Sequence, residues 1–286
     1  MRSEKQIFAL IKAVAQADQR IRAVILNGSR ANNRITPDRF QDYDITFVVK
    51  DLDSFRAEPD WIDVFGQRII MQMPNSMKLD EEDRSEEQNS MVYLMLFEDH
   101  NRIDLTLIPV DDMEEYSDSL TKVLLDKDAF FDSSIEATEK DYWVRRPTEK
   151  DFLDCCNEFW WVSTYVIKGL MRREVYYAKD MLEGPVRKMF SRMLKWYAGA
   201  KYDFEINVGK SNRFLKKYID HDTYRKVLKT YPDAEVESIW SSIEVMMDLF
   251  NQLSAEIADR LGFSYLAEEG KNVKDYFEHQ KKLSEQ

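Results

Sequence analysis

Asp42-Tyr-Asp-Ile-Thr-Phe-Val-Val49 is the stretch on which the reading of this chain turns. From Asp44 to Val49 it is a run of β-branched and aromatic residues, which reads as a strand. Successive side chains of a strand point to opposite faces, so Asp42 and Asp44 share one face and Tyr43 takes the other. Upstream, Arg22-Ala-Val-Ile-Leu-Asn27 is a short apolar run that ends at Gly28-Ser29, a largely buried strand followed by a tight turn. Downstream, Gln67 to Gln72 reads as a strand. Val92 to Phe97 and Ile103 to Ile108 are two more, joined by the polar Glu98-Asp-His-Asn-Arg102, a hairpin signal. Ser3 with Gln6 fits a capping box, and Ile7, Leu10, Ile11 and Val14 follow at helical spacing. Helices and strands thus share the first half, and the hairpin argues for a mixed rather than an all-parallel sheet. The acidic Asp80 to Glu87 reads as a surface loop.

From about Pro147 the character changes. Thr148 and Asp151 supply an N-cap signal, and Phe152, Cys156, Phe159, Ser163, Val166 and Leu170 form one helical stripe. Helical periodicity returns at Val186 to Trp196, Arg213 to Tyr218 and Val236 to Leu261, with Pro185 and Pro232 punctuating the connections. No second strand-rich block follows. The expected class is α+β: a mixed sheet with flanking helices over residues 1–145, then an all-α helical bundle over 146–286.

Composition narrows the function. Among 286 residues, 41 Lys and Arg stand against 53 Asp and Glu, a net charge of −12. An acidic chain is a poor match for nucleic-acid phosphates but attracts a small cationic substrate. The two cysteines, Cys155 and Cys156, are neighbours, and adjacent residues seldom bridge. No Cys/His zinc pattern, no signal-peptide stretch and no apolar run of about eighteen residues occurs. The expectation is a cytoplasmic protein with reduced thiols and no membrane or nucleic-acid partner. Oligomeric state is not readable from the residues.

The chemistry is carried by Gly28-Ser29-Arg30, Asp42-Tyr43-Asp44 and Asp104. Two carboxylates on one strand face can share a pair of Mg²⁺ ions about 3.5–4 Å apart. Such ions keep waters and bridge substrate phosphates, so few protein ligands are needed. Asp104 shares a strand face with Arg102 and Thr106, and an acid inside so apolar a strand needs a reason to be there. Gly28-Ser29 closes a turn that aims backbone N–H groups and a hydroxyl at a phosphate. It is neither a Walker A loop nor a dinucleotide fingerprint. Taken singly, a DxD is weak in so acidic a chain, and Gly-Ser at a strand end is usually a turn. Their order is far more specific.

That order, strand, Gly-Ser, DxD strand, then a carboxylate in a later strand, resembles the nucleotidyltransferase superfamily that includes DNA polymerase β. Closer still, Gly28-Ser-Arg-Ala-Asn-Asn-Arg34, Phe40-Gln-Asp-Tyr-Asp-Ile45, Arg102-Ile-Asp-Leu-Thr-Leu-Ile-Pro109 and Lys122-Val-Leu-Leu-Asp-Lys-Asp128 resemble the aminoglycoside 6-adenylyltransferases, the streptomycin-modifying family. The likeness continues through Asp154-Cys-Cys-Asn-Glu-Phe-Trp160, Ser163-Thr-Tyr-Val-Ile-Lys-Gly-Leu170, Gly209-Lys210 and Phe214 to Tyr218, covering roughly residues 1–220. It implies transfer of AMP from ATP to an aminoglycoside hydroxyl, release of pyrophosphate and antibiotic resistance. It further implies that Asp42 and Asp44 hold Mg²⁺ on the triphosphate, with Gly28, Ser29 and Arg30 as the nucleotide loop. Asp104 then ligates metal, takes the hydroxyl proton, or both.

On the first helix of the second half, Asn157, Trp161, Thr164 and Lys168 fall on a different side from the Phe152–Leu170 stripe. Lys168 is the candidate to reach the phosphates, as related enzymes place a lysine, and Trp161 and Glu158 are candidates for the cationic sugar. The alternative is a nucleotidyltransferase acting on a lincosamide or on a protein. A retired fold that binds without turnover is opposed by the intact Ser29, Asp42, Asp44 and Asp104. Glu98-Asp99-His100 is expected to face solvent, and within Asp220-His221-Asp222 the expectation is helix capping by Asp222 rather than a metal site.

Overall fold

The computed structural model describes residues 1–78, 89–132 and 136–286; the acidic stretch expected as a loop at 80–87 lies outside them. The chain divides into two compact units, Met1–Asp141 and Tyr142–Gln286.

In the first unit the elements run α1 (Glu4–Ala17), β1 (Ile21–Leu26), the single turn α2 (Gly28–Ala31), β2 (Tyr43–Val49), α3 (Asp53–Arg56), β3 (Arg68–Gln72), β4 (Met91–Phe97), β5 (Arg102–Pro109) and β6 (Lys122–Asp126). Ser3 and Gln6 form the expected reciprocal cap on α1. The six strands make one sheet in the order β3-β4-β5-β2-β1-β6. β2 and β5 are parallel, and every other neighbouring pair is antiparallel. The sheet is therefore mixed. Because β1 runs against β2 while β5 runs with it, the end of β1 and the starts of β2 and β5 meet at one end of the sheet.

Alternation divides the two faces. Tyr43, Ile45, Phe47 and Val49 bury with Leu105 and Leu107 of β5 against Ile7 and Ile11 of α1. On the opposite face Ala23, Val48 and Ile108 form a small cluster covered by Val110, Met113 and Phe130. Asp44 and Asp104 lie on this second face, at the other end of the same two strands. β6 (Lys122–Asp126) pairs with β1 at the sheet edge, a strand that the residue pattern does not announce. With only three apolar residues between charged ones, it resembles a loop until its partner is known.

The hairpin turn between β4 and β5 also departs from expectation. Glu98 and His100 are exposed, but Asp99 is half-buried and clamped. It accepts from the Arg2 backbone N–H at 2.9 Å, from Arg2 Nε at 2.7 Å and from Asn101 Nδ2 at 2.9 Å. Burial pushes its carboxyl up, but the Arg2 and Asn101 donors outweigh this and hold it well below the usual range.

The second unit is helical: α4 (Glu149–Met171), α5 (Val175–Met181), α6 (Arg187–Lys201), α7 (His221–Lys229), α8 (Val236–Leu261) and α9 (Ala267–Ser284). Thr148 and Asp151 cap α4 reciprocally, and the whole Phe152–Leu170 stripe is buried. Phe159 stacks on Phe250 of α8 with ring centres 3.7 Å apart, and Trp160 meets Phe250 edge-on. Gly270 lets α9 close on this cluster, since a Cβ there would lie 2.7 Å from the Trp160 ring. Pro185 does not end a helix as expected. It sits in a π-helical turn, Leu182–Val186, that carries α5 directly into α6, the wide turn accommodating a residue without an N–H. The periodicity at 213–218 yields only a 3₁₀ turn, Leu215–Lys217. Asp220, not Asp222, caps α7, accepting from the Thr223 N–H at 2.8 Å. Cys155 and Cys156 are free and buried, and burial pushes both thiols up to about 12. No described helix is long and apolar enough to cross a membrane.

The Asp99 clamp sets a pH dependence. A carboxyl depressed below its ordinary value of 3.8 stabilises the fold fully above that value and loses the contribution as pH falls toward its folded value. Asp99→Asn should lower the melting temperature at pH 7 by roughly 2–6 °C and lessen the loss of stability below about pH 4. Thermal melts of both proteins from pH 7 to pH 3 test this; an unchanged melting temperature at pH 7 would leave the clamp without energetic weight.

Candidate active site

The meeting point of β1, β2 and β5 gathers most of the residues singled out in the first unit. Asp44 and Asp104 are register partners across the parallel pair. Asp42 immediately precedes β2. Between them stands Arg102, whose guanidinium donates to both oxygens of Asp104, Nε to Oδ1 at 2.8 Å and Nη2 to Oδ2 at 2.7 Å. The same Nε lies 3.6 Å from Asp42 Oδ1. Its pKa is raised, first by the hydrogen bonds to Asp104; burial opposes this, and the charges of Asp104, Asp42 and Asp44 add to the rise. The guanidinium is therefore the cation around which this acidic corner is arranged. In the sequence Arg102 shares the Asp104 face, but nothing local marks its pairing.

Gly28 meets the same corner from β1. Its φ is +67°, and a Cβ built there would lie 2.1 Å from Asp44 Oδ2. The turn is a cradle that only a hydrogen atom leaves open, so the Asp44 carboxylate rests directly over the residue 28 backbone. Asn27 N–H donates to the Asp44 carbonyl at 2.9 Å, which fixes the approach.

Arg30 was expected on the nucleotide, but its guanidinium is committed to the protein itself. Nε donates to the Asp42 carbonyl at 3.1 Å, Nη2 to the Gln41 carbonyl at 2.8 Å and Nη1 to Glu4 at 2.6 Å. It lies flat over the Tyr43 ring, 3.8 Å from the centre, with a side chain only 9% exposed. Gln41 returns the link by donating to the Ser29 carbonyl at 3.3 Å. Arg30, Gln41 and Tyr43 thus bolt the Gly28-Ser29 turn to the start of β2. An arginine beside Gly-Ser looks like a phosphate ligand in sequence, and the signal for its scaffold role, the acceptor carbonyls at 41 and 42, has no side-chain signature.

The donor set suits a hard divalent cation. Carboxylate oxygens on neighbouring strands are what Mg²⁺ takes, and one or two suffice where phosphates and water complete the octahedron. Among the described residues no three Asp, Glu, His or Cys side chains are closed around a point that could hold a metal ion. Beside the turn a cleft of about 710 Å³ is lined by Ala31, Asn33, Thr121, Lys122 and Phe131, among others, and by none of the three acids.

In the helical unit, α4 presents the expected second side. Trp161 is 61% exposed, and its Nε1 donates to the Tyr165 hydroxyl at 2.8 Å. Lys168 Nζ sits 4.9 Å from the Tyr165 ring centre and 5.6 Å from that of Tyr177. Glu158 is exposed, and Asn157 donates to Glu269 at 3.4 Å.

A family model described as streptomycin adenylyltransferase matches residues 1–280. The chain belongs to that family. Family membership makes it a nucleotidyltransferase. It is 42% identical to the aminoglycoside 6-adenylyltransferase of Campylobacter jejuni, over 99% of this chain and 97% of that one. Identity to the Bacillus subtilis (strain 168) aminoglycoside 6-adenylyltransferase is 40%, over 93% of each chain, and to the Staphylococcus aureus protein of the same name 35%, over 96% and 98%. A crystal structure of an aminoglycoside 6-adenyltransferase from Bacillus subtilis is similar with a TM-score of 0.48 at 36% identity, over 98% of this chain and 99% of that one. The family thus reaches beyond residue 220, where the sequence motifs ran out, through α8 and most of α9.

Gly28 gives this geometry its sharpest test. Gly28→Ala adds strain at a positive φ and drives the Asp44 carboxylate from its place. Nucleotidyl transfer should fall by about a hundredfold, as a misplacement of roughly an ångström commonly costs. Steady-state kinetics with circular dichroism would check it, and a folded variant with wild-type turnover would remove Gly28 from the site.

Proposed function

We propose that this protein transfers AMP from ATP to a hydroxyl of an aminoglycoside of the streptomycin type, at its 6 position, releasing pyrophosphate and conferring resistance. The observation that carries the reading is the in-register pairing of Asp44 with Asp104 beside a glycine turn, within a chain similar to enzymes named for that reaction over nearly their whole length. Residues 1–145 act as the nucleotidyltransferase domain and residues 146–286 as the helical domain that helps bind substrate.

Asp42, Asp44 and Asp104 would hold Mg²⁺, two ions in the fullest form of the mechanism, and the metal would offset charge on the triphosphate and its leaving pyrophosphate. Gly28 lets the phosphates approach the backbone, and the Ser29 hydroxyl contacts the β or γ phosphate. Arg30 acts at one remove, holding Ser29 and Asp42 at a fixed spacing. Asp104 accepts the proton of the attacking hydroxyl or shares in metal binding once its oxygens are available. Lys168, kept close to two aromatic rings, is assigned to the phosphates. Trp161 supplies an exposed flat surface and Glu158 a negative charge for the cationic sugar. The protein works in the cytoplasm, where ATP is at hand, with no nucleic-acid or membrane partner.

Pyrophosphate release measured with ATP across a panel of aminoglycosides, with lincomycin as a control, tests the reaction. Turnover with streptomycin alone or above the rest supports it; turnover only with lincomycin, or none, overturns it. Asp104→Asn keeps the shape but loses the charge and proton-accepting capacity. It should cut kcat by roughly two to three orders of magnitude while sparing Mg·ATP binding and folding. A stable, fully active variant would sink the three-carboxylate mechanism.

The charge excess adds an independent expectation. With 53 acids against 41 bases, apparent affinity for streptomycin should weaken as ionic strength rises from 10 mM, where the screening length is about 30 Å, to 150 mM, where it is about 8 Å. A flat titration across that range would point to a neutral substrate.

A further inference from the structure

Two arginines stand at the acidic corner, and they are held in opposite ways. Arg30 is 9% exposed and bonded to two carbonyls, a carboxylate and a ring face. Arg102 is 44% exposed, and the partners given by its geometry are the carboxylates of Asp104 and Asp42. It is the first residue of β5, at the mouth of the hairpin, opposite Leu96 in the register of β4. The two-bond fork on Asp104, itself 19% exposed, is a firm pairing, but Arg102 is 44% exposed, so water reaches the guanidinium and offsets part of the loss when it moves away. A guanidinium held by carboxylates can give way to a stronger cation that takes the same oxygens, whereas Arg30, bonded to backbone carbonyls, cannot.

The pair also blocks the chemistry assigned to Asp104. The guanidinium fork occupies Oδ1 and Oδ2 together. While it stays, one acceptor site on each oxygen is taken and the adjacent positive charge repels a metal ion. Removing it without replacement would take a positive charge from beside Asp42 and Asp104, which is unfavourable for neighbouring acids. The corner therefore needs a cation at all times.

We propose that Arg102 is the resident counter-cation of the nucleotide-free enzyme, holding Asp104 and Asp42 in place and yielding them to the divalent cation when the metal–nucleotide complex enters. This rests on the assignment of Asp42, Asp44 and Asp104 as the metal-bearing set. Arg102 is a positioning residue with two effects: it keeps the acids together before the substrate arrives, and it weakens binding of metal on its own. Metal is thereby taken up chiefly with the nucleotide, whose phosphates supply the additional oxygens that make displacement favourable.

Binding of Mn²⁺ to the full-length, nucleotide-free protein, followed by the paramagnetic resonance of the free ion, tests the idea. Arg102→Met should bind Mn²⁺ roughly tenfold more tightly than the wild type, because the competitor is gone. The variant should also gain more in melting temperature from saturating Mn²⁺ than the wild type does. Arg102→Lys keeps the charge but not the fork and should fall between them, and it carries the test if the methionine variant does not fold. Equal or weaker Mn²⁺ binding in the folded methionine variant overturns the proposal, since loss of a competing cation must raise metal affinity, and a lysine variant no different from the wild type would show that charge alone, not the fork, sets the affinity. The underlying assignment is checked separately with Asp44→Asn and a non-hydrolysable ATP analogue. If Mn²⁺-dependent analogue binding survives that change, the metal assignment falls and this proposal with it; if binding is lost while Arg102→Met leaves Mn²⁺ affinity unchanged, only the role of Arg102 falls.

Discussion

The parallel pairing of β2 with β5 is the constraint on which the rest depends. Its register runs unbroken from Tyr43 opposite Ile103 to Val49 opposite Pro109. Burial enforces that register. Tyr43, Ile45, Phe47 and Val49 must stay with Leu105 and Leu107 against α1, and a slip of one residue would turn each of these to the opposite face. The same alternation that buries the odd-numbered positions leaves Asp44 and Asp104 together on the other face. The hydrophobic effect thus places two like charges side by side, and the site is a by-product of the core's register.

Electrostatics then has to hold what packing has assembled. Neighbouring carboxylates repel, and the protein answers with arginines rather than by burying the acids. Arg102 bridges the acids themselves, while Arg30 fixes the main chain beneath them through carbonyl groups. One arginine neutralises and the other braces. The Gly28 turn completes the arrangement by bringing a backbone with no side chain against Asp44, so that carboxylate and main chain share a space that no other residue leaves free.

Much of this could be read from the residues alone, for identifiable reasons. Five strands, the α1 and α4 caps and the α4 stripe declare themselves because alternation, helical spacing and capping boxes are local signals. β6 does not, since an edge strand of mixed charged and apolar residues acquires meaning only from its pairing with β1. Pro185 misled because the usual rule concerns α-helices, whereas here the turn is a wide one. Asp99 was read as solvated because its partner, Arg2, is distant in sequence. Residue types and order point to Gly28, Asp42, Asp44 and Asp104 as candidates, and the structure brings them to one corner. The scaffold roles of Arg30 and Gln41 were hidden, since they act on backbone atoms that every residue has.

The hydrogen atom of Gly28 bears on how such an enzyme could be disabled. An inhibitor loses its hold when a residue that it touches is changed. A molecule resting on the residue 28 backbone and reaching the Asp44 carboxylate would contact a position with no tolerable replacement. Every alternative side chain there strains a positive φ and intrudes on the carboxylate. A mutation that evaded such a molecule would, by the same geometry, push the Asp44 carboxylate from its place.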